Sequence, residues 1–440
     1  VEVKKVRKFE RMWKVGSGGS VCARPVIHDN RVYFAAMDHY VYCADCNTGK
    51  EFWRFKTGGI VLDSSPIIYG NNLYVGVFDG YLYAIDINSG KLSWKFKTGG
   101  EIESSPCTWE GMVFFGSSDG YVYALSSDSG SPIWRFKTGG EIVSSPSVKD
   151  SRVFIGSFDG NLYCLDAKTG EEVWRFRTGG EVANSAPIPF YKNMVFFTSF
   201  DNNLYAADME TGKEIWRFRT GKYGNGTCPA VHEGVLYYGA RDGIFYAIEA
   251  ETGKEIWRFR TQGEGVIDEL PLVHDSKVYF GSEDGNLYVL DTKTGKEAWR
   301  FKTGGMVATC AVQWGHFVFL GSWDCHLYKV DINTREEAWR FATSSGEPAY
   351  IPHAYEDFKV EIKKETIIEE AAKEGKYKKE KVESVSLSDY HVESEYSSEG
   401  EYKKKSDYDV GFVMFETNLS SFEQLTFMNS GFTTTTTTSR

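Results

Sequence analysis

The chain has 440 residues, 41% hydrophobic, 15% aromatic and 25% charged, with a formal net charge of −11. That apolar content suffices for a large core, and the acidic balance argues against nucleic acid as a partner. No stretch approaches the roughly 20 apolar residues that span a bilayer, and no secretory leader pattern is visible.

Residues 1–20 form an N-terminal segment in which Trp13 opens "WKVGSGGSV". From there to residue 345 one pattern recurs. Its tryptophans stand at Trp53, Trp94, Trp134, Trp174, Trp216, Trp257, Trp299 and Trp339, 40 to 42 residues apart, with Trp13 as a ninth copy. A fixed period of that size marks a repeat architecture. In "NLYCLDAKTGEEVWRFRTGG", Leu162, Cys164 and Asp166 share one face and Tyr163 and Leu165 the other, which is strand periodicity. Four runs fit in that unit: "EIVSSPSV", "RVFIGSF", "NLYCLD" and "EEVWRF", here called strands A to D. Asp-Gly and Thr-Gly turns separate them. Four short strands in ~40 residues make one propeller blade; β-helix coils are shorter, and helical repeats would show a 3.6 period. The expected fold class is all-β, an eight-bladed β-propeller of four-stranded antiparallel blades over residues 21–345, plus a charged C-terminal extension.

The units resemble the repeats of pyrroloquinoline-quinone-type propellers. The tryptophan-docking pattern Ala-x-Asp-x-x-Thr-Gly-Lys-x-x-Trp is matched in full by Ala206, Asp208, Thr211, Gly212, Lys213 and Trp216, and closely by Ala84, Asp86, Ser89, Gly90, Lys91 and Trp94. The third unit departs at Ser126, and the last at Arg335, where glycine is expected. The resemblance implies eight blades, a plan shared by quinoprotein dehydrogenases and by non-catalytic proteins such as the bacterial outer-membrane assembly lipoprotein. It also implies that the enzymes carry an adjacent Cys-Cys pair near the cofactor, which this sequence lacks. With every blade trimmed to the same length there is no long insertion for a substrate lid. The expectation is therefore no enzyme and no cofactor.

Ring closure has one strand too many. The Trp13 and Trp339 segments claim the same fourth-strand slot of blade eight, and the degraded turn at Thr334-Arg335 favours Trp13 as the clasp, since arginine resists the left-handed conformation. In each strand D, Trp and Phe at i and i+2 pack one blade on the next, while residues such as Arg217 and Arg219 face outward, protecting the edge and pairing between blades.

After residue 345 the composition shifts: residues 346–440 hold 12 Lys+Arg and 19 Asp+Glu. "ETIIEEAAKEGKYKKEK" reads as one short helix with a thin apolar stripe. Tyr390, Tyr396, Tyr402 and Tyr408 recur every six residues and share one side of an extended chain, either a docking strand or a disordered tail. "VGFVMFE" is the one apolar run there suited to a sheet. Of the eight cysteines, Cys43 and Cys164 take the alanine place of the docking pattern, and Cys43-x-x-Cys46 reads as packing rather than half a zinc site, having no second ligand pair. Scattered, buried cysteines point to a cytoplasmic location, with an extracytoplasmic one after loss of a leader as the alternative.

Candidate sites lie at the channel mouths. The B–C turns carry Asp38, Asp79, Asp119, Asp159, Asp201, Asp242, Asp284 and Asp324, read as turn formers. Just before them stand Met37, Phe78, Ser118, Phe158, Phe200, Arg241, Glu283 and Trp323, and Phe78, Phe158, Phe200 and Trp323 form a candidate partner-binding rim. Along the innermost strand, Arg24, Asp63, Glu103, Asn184, Asp268 and Glu269 are candidate channel-mouth residues suited to a cation or cationic group. At the opposite turns lie His28, Tyr69, Trp109, Lys149, Phe190, His232, His274 and Trp314, an aromatic face for protein contact. The function expected is a non-catalytic scaffold for protein partners or self-assembly, acting through its faces and tail; the alternatives are a ligand- or carbohydrate-binding propeller and a quinone-dependent dehydrogenase.

Overall fold

The computed structural model describes residues 19–343, except 185, 222–225, 263–269, 308 and 310, together with 379–381 and 413–415. Eight four-stranded antiparallel sheets follow one another at 26–56, 67–97, 107–137, 147–177, 190–219, 230–260, 272–302 and 312–342, each with its strands in chain order. The eight-bladed propeller expected from the repeat is the fold. Strands B and C are buried on both faces, as Val153–Ile155 and Leu162–Leu165 show, because each blade is covered by its two neighbours. One core cluster joins Phe114 and Ala124 of blade 3 to Val153, Ile155 and Tyr163 of blade 4.

The innermost strand is shorter than the sequence suggests. "EIVSSPSV" contributes only its last two residues, Ser147 and Val148, to the strand Ser147–Lys149. Before Pro146, which has no N–H to give a ladder, side chains replace strand pairing. Ser144 Oγ accepts from Gly156 N–H at 3.2 Å, and Ser145 Oγ accepts from Ser105 N–H of the previous blade at 3.0 Å. The same belt links Arg24 N–H to Ser65 Oγ at 3.0 Å and Ser65 N–H to Ser105 Oγ at 2.9 Å.

Consecutive blades are joined by the docking tryptophans. Trp53 Nε1 donates to Ile87 O of the next blade at 3.0 Å, Trp134 to Ala167 O at 2.9 Å and Trp216 to Ala250 O at 3.0 Å. Each ring covers the C–D turn glycine of its neighbour: a Cβ on Gly90, whose φ is +66°, would stand 2.6 Å from the Trp53 ring. Glycine is thus required twice at this place, by backbone conformation and by space.

The C-terminal strand closes the ring, and the expectation that the Trp13 segment is the clasp is overturned. Glu337–Ala342 pairs with His326–Asp331 as strand D of blade 8, Lys329 opposite Trp339. Trp339 Nε1 reaches Cys46 O of blade 1 at 3.2 Å, and Phe319 and Leu327 share a core with Val32 and Phe34. Trp13 lies outside the described residues; the segment that follows it meets blade 8 through Thr343 Oγ1, which donates to Gly19 O at 2.7 Å. Arg335 does adopt the left-handed conformation, φ +66°, in a turn where its N–H reaches Asp331 O at 2.7 Å. A left-handed residue costs roughly 1–2 kcal/mol, less than the ladder and indole burial that the strand contributes.

The cost shows at the blade 7–8 seam, where Arg335 holds the place that faces Trp299. Among the described residues Trp299 makes no inter-blade hydrogen bond like those above, and its plane stands at 77° to Tyr279, against 38–59° for the corresponding pairs of blades 1 to 6. A second departure is Lys329, 3% exposed where other blades carry Ala, Cys or Val. Its Nζ lies 3.7 Å from the Phe317 ring centroid and 5.0 Å from that of Trp314, and burial lowers its pKa.

The expected ion pairing between blades by the strand-D arginines is also corrected: these pairs stay within one strand. Arg54 meets Glu51, Arg175 Glu172 and Arg217 Glu214, each at i, i+3 across the strand bulge, and Arg217 lies over Tyr205 of its own blade. Pairs between blades use turn carboxylates instead, as where Arg152 at the start of strand B meets Glu210 in the C–D turn of the next blade.

The chain divides into two compact units, Arg11–Ile351 and Val1–Glu10 with Pro352–Arg440. In the second, Lys379–Lys381 pairs antiparallel with Val413–Phe415. The apolar run "VGFVMFE" therefore contains a strand, and its partner takes the end of the segment that reads as a helix. Tyr390, Tyr396, Tyr402 and Tyr408 lie outside the described residues.

Two stability measurements test the seam. Arg335→Gly should raise unfolding free energy by about 1–2 kcal/mol in a urea titration, by removing left-handed strain. Trp339→Ala should cost about 3 kcal/mol or more, and Trp13→Ala much less. For Lys329 the sign follows from its lowered pKa: the folded state disfavours the charged amine, so the penalty is complete below the folded pKa and fades as pH rises toward the unfolded value. Lys329→Met should therefore stabilise the protein at pH 7 by about 1–2 kcal/mol, with the gap narrowing towards pH 10 in thermal melts.

Candidate functional site at the channel mouths

The aspartate of each B–C turn is a structural latch. Asp119 Oδ1 accepts from Tyr121 N–H at 3.0 Å, while Oδ2 accepts from Tyr123 OH at 2.7 Å and from Gly99 N–H of the preceding blade at 2.8 Å. The Tyr–Asp bond recurs at Tyr42–Asp38, Tyr83–Asp79, Tyr163–Asp159, Tyr205–Asp201, Tyr288–Asp284 and Tyr328–Asp324. Turn formation was legible in the sequence; the tyrosine four residues on was the missed signal. Burial works to raise the Asp159 carboxyl, but hydrogen bonds from Tyr163, Gly139 and Asn161 hold it below the usual range, and burial pushes the Tyr163 hydroxyl up to about 12. Blade 6 departs: burial raises the Asp242 carboxyl.

The latch fixes the turn, so the residue before it is free to vary. The four rim candidates are all half-buried, and the structure sorts them into two groups. Phe78 and Trp323 pack on one apolar cluster with Cys22, Met37 and Leu62, spanning blades 8, 1 and 2. The Trp323 indole N–H is buried without an acceptor among the described residues. Phe158 and Phe200 do not join this cluster. Phe200 instead carries Arg241 of blade 6, whose guanidinium lies 5.3 Å from its ring centroid.

Arg241 also answers Asp63 of blade 2, on the opposite side of the eight-blade ring. Burial raises the Asp63 carboxyl to about 6, and the positive charge of Arg241 opposes the rise. Sequence reasoning placed Arg241 on the rim but missed this electrostatic link, since blades four apart have no adjacency in the chain. The other channel candidates do not converge. Glu103 is 3% exposed and Asn184 fully buried. Asn184 is a wall residue: its Nδ2 donates to Thr198 Oγ1 at 2.8 Å, and its carbonyl accepts from Ser145 N–H at 2.8 Å. Asp268 and Glu269 lie outside the described residues. Arg24 lines the channel towards the other mouth, beside a cavity of about 400 Å3.

Among the described residues no three His, Cys, Asp or Glu side chains form a metal-holding group. Cys43 and Cys46 are fully buried, their thiols pushed up by burial to about 11 and about 12, consistent with packing. At the A–B turns His28, His232 and His274 each face the carboxylate that follows them, Asp29, Glu233 and Asp275, rather than one another. Pyrroloquinoline quinone, a polycarboxylate, is a poor match for this channel: the charge of Arg241 already acts on the Asp63 carboxyl, and its guanidinium lies over Phe200. The residues described do not fit that cofactor.

A family model described as outer membrane protein assembly factor BamB matches residues 8–111, 38–148, 118–223, 201–316 and 282–356. No curated protein matches the sequence significantly. Similar solved structures include the computationally designed Ika8 protein (TM-score 0.62, 19% identity, covering 70% of this chain and 94% of that one). BamB from Moraxella catarrhalis follows at TM-score 0.60 and 18% identity, covering 69% and 95%. A europium-containing methanol dehydrogenase has TM-score 0.61 and 14% identity, covering 70% and 84%. At these identities the likeness is one of fold, and it spans a designed protein, an assembly factor and an enzyme alike. The matched repeats, the tryptophan docks and the eight blades together make this chain a member of the BamB-like family of pyrroloquinoline-quinone-type propellers.

Proposed function

We propose that the protein is a non-catalytic scaffold that holds partner proteins on the B–C face of its propeller, with the C-terminal tail as a further attachment. The observation that carries this reading is the apolar rim of blades 8, 1 and 2, where Phe78 and Trp323 remain half-exposed over Met37 and Leu62. Large aromatics grouped at a channel mouth are the usual anchors of protein interfaces. The unpaired Trp323 indole N–H, a cost of about 1–3 kcal/mol, gives a partner carbonyl a donor to satisfy after a small shift of the side chain. Membership of a family whose model is named for an assembly factor supports the same class of role. Among the described residues the turns are short and uniform, and no group of His, Cys, Asp or Glu could hold a metal ion, which supports a role without chemistry.

Chemical crosslinking and co-purification from the native source test this reading. Phe78→Ser combined with Trp323→Ser should leave the thermal transition cooperative and weaken the recovered partner's affinity about 10- to 100-fold. Removing residues 346–440 should leave the propeller folded and reduce association further. Unchanged partner recovery from the double variant, or dye reduction with alcohols that depends on added pyrroloquinoline quinone and a metal, would overturn the proposal.

A further inference from the structure

The A–B mouth of the channel is built differently from the B–C mouth. Ile188, Val231, Leu272 and Ala311, from blades 5, 6, 7 and 8, line an open cavity of about 400 Å3, with Arg24 of blade 1 also on its wall. That volume falls within the range of small-ligand sites. Prolines at Pro187, Pro189 and Pro271 stiffen the wall. Only Arg24 among the lining residues carries a fixed charge, and His232 is the other titratable group.

Arg24 is out of place by the logic of the repeat. The matching residues of blades 2, 3 and 4 are Ser65, Ser105 and Ser145, whose hydroxyls form the belt between blades. Arg24 keeps only the backbone half of that belt, its N–H donating to Ser65 Oγ. Its half-buried side chain has no ion-pair or hydrogen-bond partner among the described residues. Asp63 in the next blade is answered by Arg241 rather than by Arg24. A guanidinium beside apolar walls, with its donors unused, matches a ligand that brings its own acceptor.

We infer that this cavity binds a monocarboxylate with an apolar body, the carboxylate accepting from Arg24 and the body lying on Ile188, Val231 and Leu272. The chemistry is shared by a free medium-chain acid and by the C-terminal carboxylate of an apolar peptide. The site is at the A–B mouth, so it stands or falls independently of the partner rim on the B–C side.

Calorimetric titration of the full chain at low ionic strength tests it, with octanoate for the free acid and N-acetyl-Leu-Leu for the peptide terminus, each beside its neutral amide. Binding by at least one acid, with its amide failing, is expected, and the tighter acid identifies the source. Arg24→Met should weaken that acid about 10- to 100-fold, the range of a hydrogen bond to a charged group, while Arg24→Lys restores part of the loss and Arg177→Met changes nothing. Equal binding of acid and amide to the native chain would overturn the inference without reference to any variant, as would undiminished affinity in a cooperatively folded Arg24→Met protein or no binding of either acid at millimolar concentration.

Discussion

The propeller depends on one contact repeated round the ring: an indole that donates to a carbonyl of the next blade while its face lies on that blade's turn glycine. A four-stranded sheet alone would expose two apolar faces and an open edge. The tryptophan commits one face to a neighbour at a set angle, and its N–H satisfies a carbonyl that would otherwise be left at the turn. Because Trp339 makes the same contact with Cys46 and Gly49 of blade 1, the ring closes by the device that builds it, with no exchanged strand. The consequence is that defects are local. Arg335 perturbs the blade 7–8 seam through Trp299, and Lys329 the blade 8–1 seam, while the blade 2–3 and 3–4 contacts keep their geometry.

A second layer of repeated contacts frees the mouths for specialisation. The Asp–Tyr latch holds seven of the eight B–C turns from behind, so the residue ahead of the aspartate carries little duty in the turn itself and varies from Met and Phe to Ser, Arg, Glu and Trp. The serine belt plays the same part on the innermost strand, holding blades together with short side chains. Where a blade leaves the belt, as at Arg24, a long side chain enters the channel and the mouth acquires chemistry. The two ends therefore differ: an apolar rim and an Asp63 carboxyl in the field of Arg241 at one, an open cavity with apolar walls and one unengaged cation at the other.

The candidate site was legible in part. Variable positions on a repeat can be picked out by alignment of the units, which is how Phe78, Trp323, Arg241, Asp63 and Arg24 came into view. Their groupings could not be. Phe78 and Trp323 meet because blades 8 and 2 both flank blade 1, and the charge of Arg241 acts on Asp63 because blades four apart face each other across the channel; both depend on closure of the ring. Asn184 reads as a channel residue by register, yet one extra residue before Pro187 turns it into the wall between Ser144 and Thr198.

Strand number, blade count and docking residues follow from the sequence alone, because period-two alternation, turn glycines and the 40- to 42-residue interval are local properties that each unit states separately. Tertiary structure alone decided which strand closes the ring, since the choice weighs one left-handed arginine against a whole strand ladder and a buried indole, a sum over contacts nearly 300 residues apart in sequence. It likewise decided the ion pairing of strand D: the bulge that brings Glu214 beside Arg217 is a register shift between strands, and register exists only once both strands are in place.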